Sequence, residues 1–271
     1  MDANTAFARV DSAYETLRGP ALETELLAVA ADCAAENGPR SRLYAAMCSE
    51  LGGYYRGQAR YAESEREFLK ALDILRVDPG EDSPDHTTAM NNLAGTYRVM
   101  KKYDEAEQLF LRCLKSYEKT LGRGHILYAA ALNNLALLCL DRGDLARAAE
   151  LLKQSSEILS ALPECSDEYA ASLCNRGALL LRLDRAGEAL PLLTEAIGLF
   201  ETQLGTDTPH YHAAYHSRGL ARMALEEFTA AESDFTAALR AAETLYGPGH
   251  PETETVRRSL TEVRRRMEEN T

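Results

Sequence analysis

The stretch Met90-Asn91-Asn92-Leu93-Ala94 decides the fold, because it returns as Leu132-Asn133-Asn134-Leu135-Ala136 at an offset of 42 residues. At the same offset, Tyr103-Asp104-Glu105-Ala106-Glu107 falls on Leu145-Ala146-Arg147-Ala148-Ala149. A fixed period of this size is typical of repeat arrays, in which each unit buries its apolar face against its neighbours. The sequence therefore predicts an all-α solenoid built from antiparallel helix pairs.

Small residues recur at two positions of each unit. On the second helix of the pairs they are Ser64, Ala106, Ala148, Ala189 and Ala231, and on the first helix Gly52, Ala94, Ala136, Gly177 and Gly219. Small side chains at both positions let the two helices approach closely. Four residues beyond each second-helix position lies a bulky apolar residue, namely Phe68, Phe110, Leu152, Leu193 or Phe235. We expect these to fill the groove between successive repeats.

The period divides the chain into five repeats with a helical segment at each end. The repeats are expected at about 41–82, 83–124, 125–165, 166–207 and 208–250. Residues 1–40 show helical periodicity without the repeat signature, so we expect a helical pair there, which can serve as a degenerate capping repeat. Residues 251–271 are expected to form a C-terminal capping helix.

The charge of the chain argues against nucleic acid as a partner. Its formal net charge is −12, and a field of that sign repels phosphate backbones. Five arginines near the C-terminus (Arg257, Arg258, Arg264, Arg265 and Arg266) form a local basic cluster. They alternate with glutamates, so we interpret them as a solvated helix face rather than a nucleic-acid arm.

The sequence favours a cytoplasmic protein. Its first residues lack a basic segment followed by an apolar run, and no apolar stretch reaches the roughly 18 residues that a membrane span needs. The six cysteines are Cys33, Cys48, Cys113, Cys139, Cys165 and Cys174, and none of them forms a C-x-x-C pair. Buried thiols in a reducing compartment are the expected state.

Several motifs resemble those of one known family. They are the pairs Leu51-Gly52 and Arg176-Gly177, the two Asn-Asn-Leu-Ala strings, and the linkers Leu121-Gly122-Arg123-Gly124-His125 and Tyr246-Gly247-Pro248-Gly249-His250-Pro251. Over residues 43–251 the chain resembles tetratricopeptide repeats, in the long version found in kinesin light chains and related bacterial proteins. Cys139, Leu180 and Arg222 depart from the pattern, since they stand where Tyr55 and Tyr97 stand in earlier repeats.

The resemblance implies a right-handed superhelix whose concave wall is lined by the first helices and binds extended peptides or partner helices. It places eleven candidate residues on that wall: Asn91, Asn92, Asn133, Asn134, Asn175, Arg56, Arg98, Arg182, Leu140, Leu181 and His216. An asparagine amide both donates and accepts hydrogen bonds, so it can pair with the backbone of a ligand of any sequence. The arginines suit an acidic group and the leucines an apolar anchor.

The asparagine rows also have a structural interpretation, in which they hydrogen-bond between neighbouring helices and fix the stacking angle. Adjacent positions lie about 100° apart on a helix, so that one row can bind ligand while the other holds the stack. The arginines can equally be solvated.

Catalysis and metal binding are not expected. His210, His212 and His216 form the most metal-like cluster, but we interpret them as one groove histidine and two surface histidines. Gly122-Arg123-Gly124 follows a helix rather than a strand and has no Lys-Ser/Thr after it, so it is not a phosphate loop. We therefore expect no cofactor, no metal and no enzymatic activity.

Three functions fit these features. The first is a non-catalytic scaffold or adaptor that binds a protein or peptide in its concave groove, with no role for nucleic acid or membrane. The second is a self-associating component of a larger assembly, which makes a homo-oligomer possible. The third is a regulator that responds to a peptide.

Overall fold

The computed structural model describes residues 1–162, 166–205 and 209–269. Within these ranges the chain is helical and has no strand, so the expected all-α fold is confirmed. The helices are α1 Ala3–Thr16, α2 Gly19–Asn37, α3 Arg42–Gly57, α4 Tyr61–Leu75, α5 Pro84–Val99, α6 Tyr103–Thr120, α7 Ile126–Arg142, α8 Leu145–Ser160, α9 Ser166–Arg182, α10 Ala186–Leu199, α11 Pro209–Ala224, α12 Phe228–Tyr246 and α13 Pro251–Glu269. Short π-helical segments, Arg76–Gly80 and Phe200–Leu204, extend α4 and α10.

Helix ends are set by side-chain caps and by glycines. The Ser41 and Ser83 hydroxyls accept hydrogen bonds from the backbone amides three residues on, at the starts of α3 and α5. Such a cap satisfies an amide that has no partner within the helix. Gly122 and Gly247 end α6 and α12 with φ near 86° and 87°, a left-handed conformation that glycine adopts without a steric penalty.

The two helices of a repeat meet where a small residue faces a bulky one. A Cβ added at Gly52 would lie 2.9 Å from the Phe68 ring, and one added at Gly219 would lie 2.6 Å from Phe235. The Ser64 hydroxyl donates to the Gly52 carbonyl at 2.8 Å, which ties α4 to α3. The small residues therefore permit the contact between first and second helices, as the pattern predicts. Phe68 and Phe235, which we expected between successive repeats, pack against the glycines of their own repeats.

The chain divides into two compact units, Met1–Leu138 and Cys139–Thr271. In the first unit the N-terminal pair packs on the first repeat, and Val10, Val29 and Leu51 belong to one apolar cluster. In the second unit α13 covers the last pair, where Leu260 and Val263 join Ala231 and Phe235.

Candidate functional site

The asparagines of the first unit lie on α5 and α7, and two of them contact each other. The Asn134 Nδ2 donates to Asn91 Oδ1 at 3.4 Å, which links two successive first helices. Asn91 is only 8% exposed, whereas Asn133 and Asn134 are half-buried. The Asn91–Asn134 contact therefore contributes to helix stacking.

Asn92 has a different environment. It is half-buried, and within the described ranges no group hydrogen-bonds to its side-chain amide. Its backbone carbonyl accepts a hydrogen bond from Arg56 Nη1 at 3.2 Å. The Asn92 amide thus keeps its donors and acceptor available beside a fixed guanidinium.

Arg56 reaches from α3 across to α5. Its guanidinium lies against Gly95, where an added Cβ would be 2.8 Å from Nη1. Burial lowers the pKa of Arg56, and the like charge of Arg98 lowers it further. Arg56 is half-buried, so an anion placed beside its guanidinium would be stabilised.

At the N-terminal edge of the same face, Glu50 lies near Asp11 of α1, a proximity that the repeat pattern does not predict. Glu50 stands 42 residues before Asn92 and is half-buried. Burial raises the pKa of the Glu50 carboxyl, and Asp11 of α1 raises it further. Tyr14 lies close to the same carboxylate, and its pKa is raised to about 12, mainly by burial. Residues 1–40 lack the repeat signature, so no sequence signal pointed to Asp11 or Tyr14.

In the second unit the candidate residues take part in packing to different degrees. Arg182 Nη1 donates to the Leu140 carbonyl at 3.2 Å, which joins α9 to α7. Leu140 is 9% exposed and Leu181 is half-buried against the cluster that contains Ala186 and Ala189. Asn175 is half-buried on α9, and the Arg182 side chain is exposed.

His216 is held by the C-terminal helix. Its Nε2 and the Ser259 hydroxyl of α13 are 2.9 Å apart, and its ring lies 5.6 Å from that of Phe235. Burial lowers the pKa of His216, His212 lowers it further, and Glu252 acts in the opposite direction. Ser259 therefore occupies the place next to His216 that Asn134 occupies next to Asn91.

The other two histidines of the cluster are not arranged around a common point. His210 is exposed, as expected, but the interpretation of His212 as a surface histidine is wrong: its ring is buried, with its centroid 5.3 Å from that of Tyr246. In the described part of the chain no group of three His, Cys, Asp or Glu side chains could hold a metal ion. Among the described residues, no helix combines the length and the apolar character that a membrane span needs.

Comparison with known proteins identifies the repeats. Residues 43–119, 85–161 and 213–252 match the family described as Tetratricopeptide repeat, and together these matches cover more than half of the chain. No curated protein matches the chain significantly.

A putative kinesin light chain and two other proteins of known structure have a similar fold. BtubC from P. vanneervenii is 18% identical, with a TM-score of 0.65 over 91% of this chain and 94% of BtubC. A putative kinesin light chain with nearly identical TPR-like repeats, from Podosopora anserina, is 20% identical, with a TM-score of 0.57 over 73% of this chain and 95% of its own. Yeast Tom70 is 15% identical, with a TM-score of 0.66 over 98% of this chain, which spans 47% of Tom70.

An all-α array of helix pairs, whose first helices present amides and guanidinium groups, defines the class of helical-repeat interaction scaffolds. The chain belongs to the tetratricopeptide repeat family. Members of this family are generally non-catalytic.

Proposed function

We propose that the protein is a non-catalytic scaffold that binds a peptide or partner helix along the first helices of its repeats. The observation that carries this proposal is the half-buried Arg56 guanidinium of α3 beside Asn92 of α5. Arg56 is partly desolvated, and a partner carboxylate would stabilise its charge through charge-assisted hydrogen bonds. The Asn92 amide lies beside the same guanidinium and can fix the backbone of the partner.

The same proposal assigns different roles to the other candidate residues. Asn91 and Asn134 hold α5 against α7 through their own hydrogen bond, and they orient the face on which Asn92 lies. Leu181 offers a half-buried apolar side chain for an anchor. We further propose a reducing, cytoplasmic location, since Cys33, Cys48 and Cys113 are buried as thiols; Cys165 lies outside the described residues.

The proposal is tested by affinity capture from extract of the cells that make the protein. Wild type is compared with Arg56→Ala/Asn92→Ala, and circular dichroism verifies that both fold. The matched control is Thr194→Ala/Thr236→Ala, which changes two exposed residues of second helices. We expect a protein partner to be retained by wild type and by the control, and its dissociation constant to rise at least tenfold in the Arg56/Asn92 variant.

Binding measurements with the purified partner can also contradict the proposal. Equal dissociation constants for wild type and the Arg56/Asn92 variant would show that the first-helix face is not the binding surface. If the wild-type protein retains no partner and its molar mass in solution doubles as its concentration rises, a self-associating component would be favoured instead.

A further inference from the structure

A cleft lies in the first unit between the second helices α4 and α6, with α5 as its floor. Its volume is about 380 Å³. Leu69 and Leu72 of α4 and Leu109 of α6 form its walls, and Met90 lies at the floor. The cleft is separate from the candidate site, because none of Arg56, Asn92 and Arg98 lines it.

The wall residue Leu69 is unusually exposed for its type. It is 47% exposed, and Leu27 and Leu111, one period before and after it on α2 and α6, are 45% and 46% exposed. Single exposed leucines are common, but exposure at the same position of three successive second helices is not a random scatter. In the second unit the equivalent positions carry Lys153, Thr194 and Thr236. The apolar row is thus a property of the first unit.

One end of the cleft carries polar groups without partners. Arg112 of α6 lines it, and within the described residues this guanidinium makes no hydrogen bond or ion pair. His86 of α5 also lines it; the residue is only 6% exposed, and its Nδ1 has no hydrogen-bond partner. A buried polar atom without a partner is unfavourable, and the Arg112 guanidinium beside it is open to a ligand.

The charges near His86 sum to a positive value. Arg76 and Arg112 face the imidazole, with Glu81 as the opposing carboxylate. Asp73 lies 3.4 Å from Arg76, but it also pairs with Arg40 at 2.7 Å. At the far end of the cleft lies Glu105. The end that contains His86 and Arg112 is therefore complementary to one carboxylate.

The corresponding place in the last repeat is filled by the protein itself. Tyr215, which stands where Met90 stands, donates to Glu201. Arg218, which stands where Leu93 stands, donates to both oxygens of Asp234 at 3.0 and 2.7 Å. Asp234 takes the place of Leu109 and is 1% exposed. The polar side chains of that repeat satisfy one another, whereas those at the end of the α4–α6 cleft do not.

We propose that the cleft between α4 and α6 is a second docking site, for a protein segment that presents an apolar side chain about one helical turn from a carboxylate. The apolar side chain packs among Leu69, Leu72 and Leu109, where it covers surface that is now in water. The carboxylate accepts hydrogen bonds from the exposed Arg112 guanidinium, which lines the cleft. Because this site is separate from the first-helix face, one chain can hold two partners.

A 12-residue peptide library displayed on phage is the probe. The bait is the full chain carrying Arg56→Ala/Asn92→Ala, so that the first-helix face does not drive the selection. We expect enriched peptides to combine Leu, Ile, Met or Phe with Asp or Glu three or four positions away. Fluorescence anisotropy of a synthesised enriched peptide should show a dissociation constant that rises at least tenfold with Leu69→Gln and with Arg112→Glu.

Matched controls separate the cleft from general surface effects. Lys115→Glu makes the same charge change on the exposed side of α6, and Leu245→Gln changes an exposed leucine of α12; neither should alter the binding constant by more than twofold. The Leu69 and Arg112 changes are on the surface, and circular dichroism checks that they fold. No enrichment, peptides without the apolar–acidic pair, or equal binding by Leu69→Gln and wild type would each overturn the proposal. None of these results tests the first-helix face, because the bait already lacks the Arg56 and Asn92 side chains.

Discussion

At the level of single residues, the close approach of the two helices in a repeat depends on whether a Cβ atom is present. From the sequence, Gly and Ala are equivalent at this position, because it is occupied by Ala94 and Ala136 in two repeats and by glycine in the other three. The structure distinguishes them: at Gly219 an added Cβ would lie 2.6 Å from the Phe235 ring. A rigid aromatic ring cannot give way as the end of a flexible side chain can.

Gly219→Ala is therefore expected to destabilise the protein by about 1–3 kcal/mol through overpacking. The matched change Gly53→Ala, also inside a helix but with nothing within 4 Å of the added Cβ, should stabilise by about 0.5–1 kcal/mol. Urea unfolding with unchanged slope measures both. If Gly219→Ala were as stable as wild type, α11 and α12 could move apart to admit the methyl group without loss of unfolding free energy.

At the level of elements, α13 behaves as the first helix of a further repeat. Ser259 contacts His216 as Asn134 contacts Asn91, and one face of α13 buries Val256, Leu260 and Val263. Its opposite face carries exposed charges, including Arg265 paired with Glu262. We therefore propose that α13 caps the last described pair, since a terminal repeat needs a polar outer surface.

Leu260→Ala tests this closing role. The side chain is 7% exposed against the cluster around Phe235, so its loss should cost about 2–5 kcal/mol. Arg265→Ala, on the exposed face of the same helix, should change the stability by less than about 0.5 kcal/mol. Denaturant titration followed by circular dichroism distinguishes the two. A Leu260→Ala variant as stable as wild type would show that α13 does not close the last repeat.

At the level of the whole molecule, buried thiols make the stability sensitive to alkaline pH. Burial raises the pKa of Cys48 to about 11 and those of Cys113 and Cys174 to about 12, from an ordinary value of 9.0. Above pH 9 the unfolded chain loses these protons while the folded chain keeps them. Stability is thus fully present below pH 9 and falls as the pH rises toward 11 and 12, by up to about 1.4 kcal/mol per pH unit for each thiol.

Thermal unfolding between pH 8 and 11 measures this loss. We expect the melting temperature of Cys113→Ala/Cys174→Ala to fall less steeply with pH than that of wild type, whatever the difference between the two proteins at pH 8. If the melting temperatures of the two proteins fall equally with pH, the buried thiols are not the cause of the loss of stability.

How much the sequence predicts depends on whether a feature repeats. The helices and the small-residue contacts recur five times, and their period reveals them. The roles of Asn91 and Asn92 do not follow from the period, since adjacent residues face directions about 100° apart and only the packing decides which is covered. Two features were missed because they occur once: the Glu50–Asp11 pair and the network of Asp234 with Arg218 and Arg222. The sequence did carry a signal for the network: Asp234 stands at a position that is leucine in an earlier repeat, and two arginines occur on the preceding helix.

The most direct test of the central proposal is photocrosslinking at the first-helix face. Benzoylphenylalanine is placed at Asn92, and in a control protein at Thr236 on an exposed second helix, and both are irradiated in cell extract. We predict a crosslinked protein adduct at position 92 that is suppressed by added wild-type protein, and no such adduct at position 236. Adducts at 236 but not at 92 would contradict binding along the first helices.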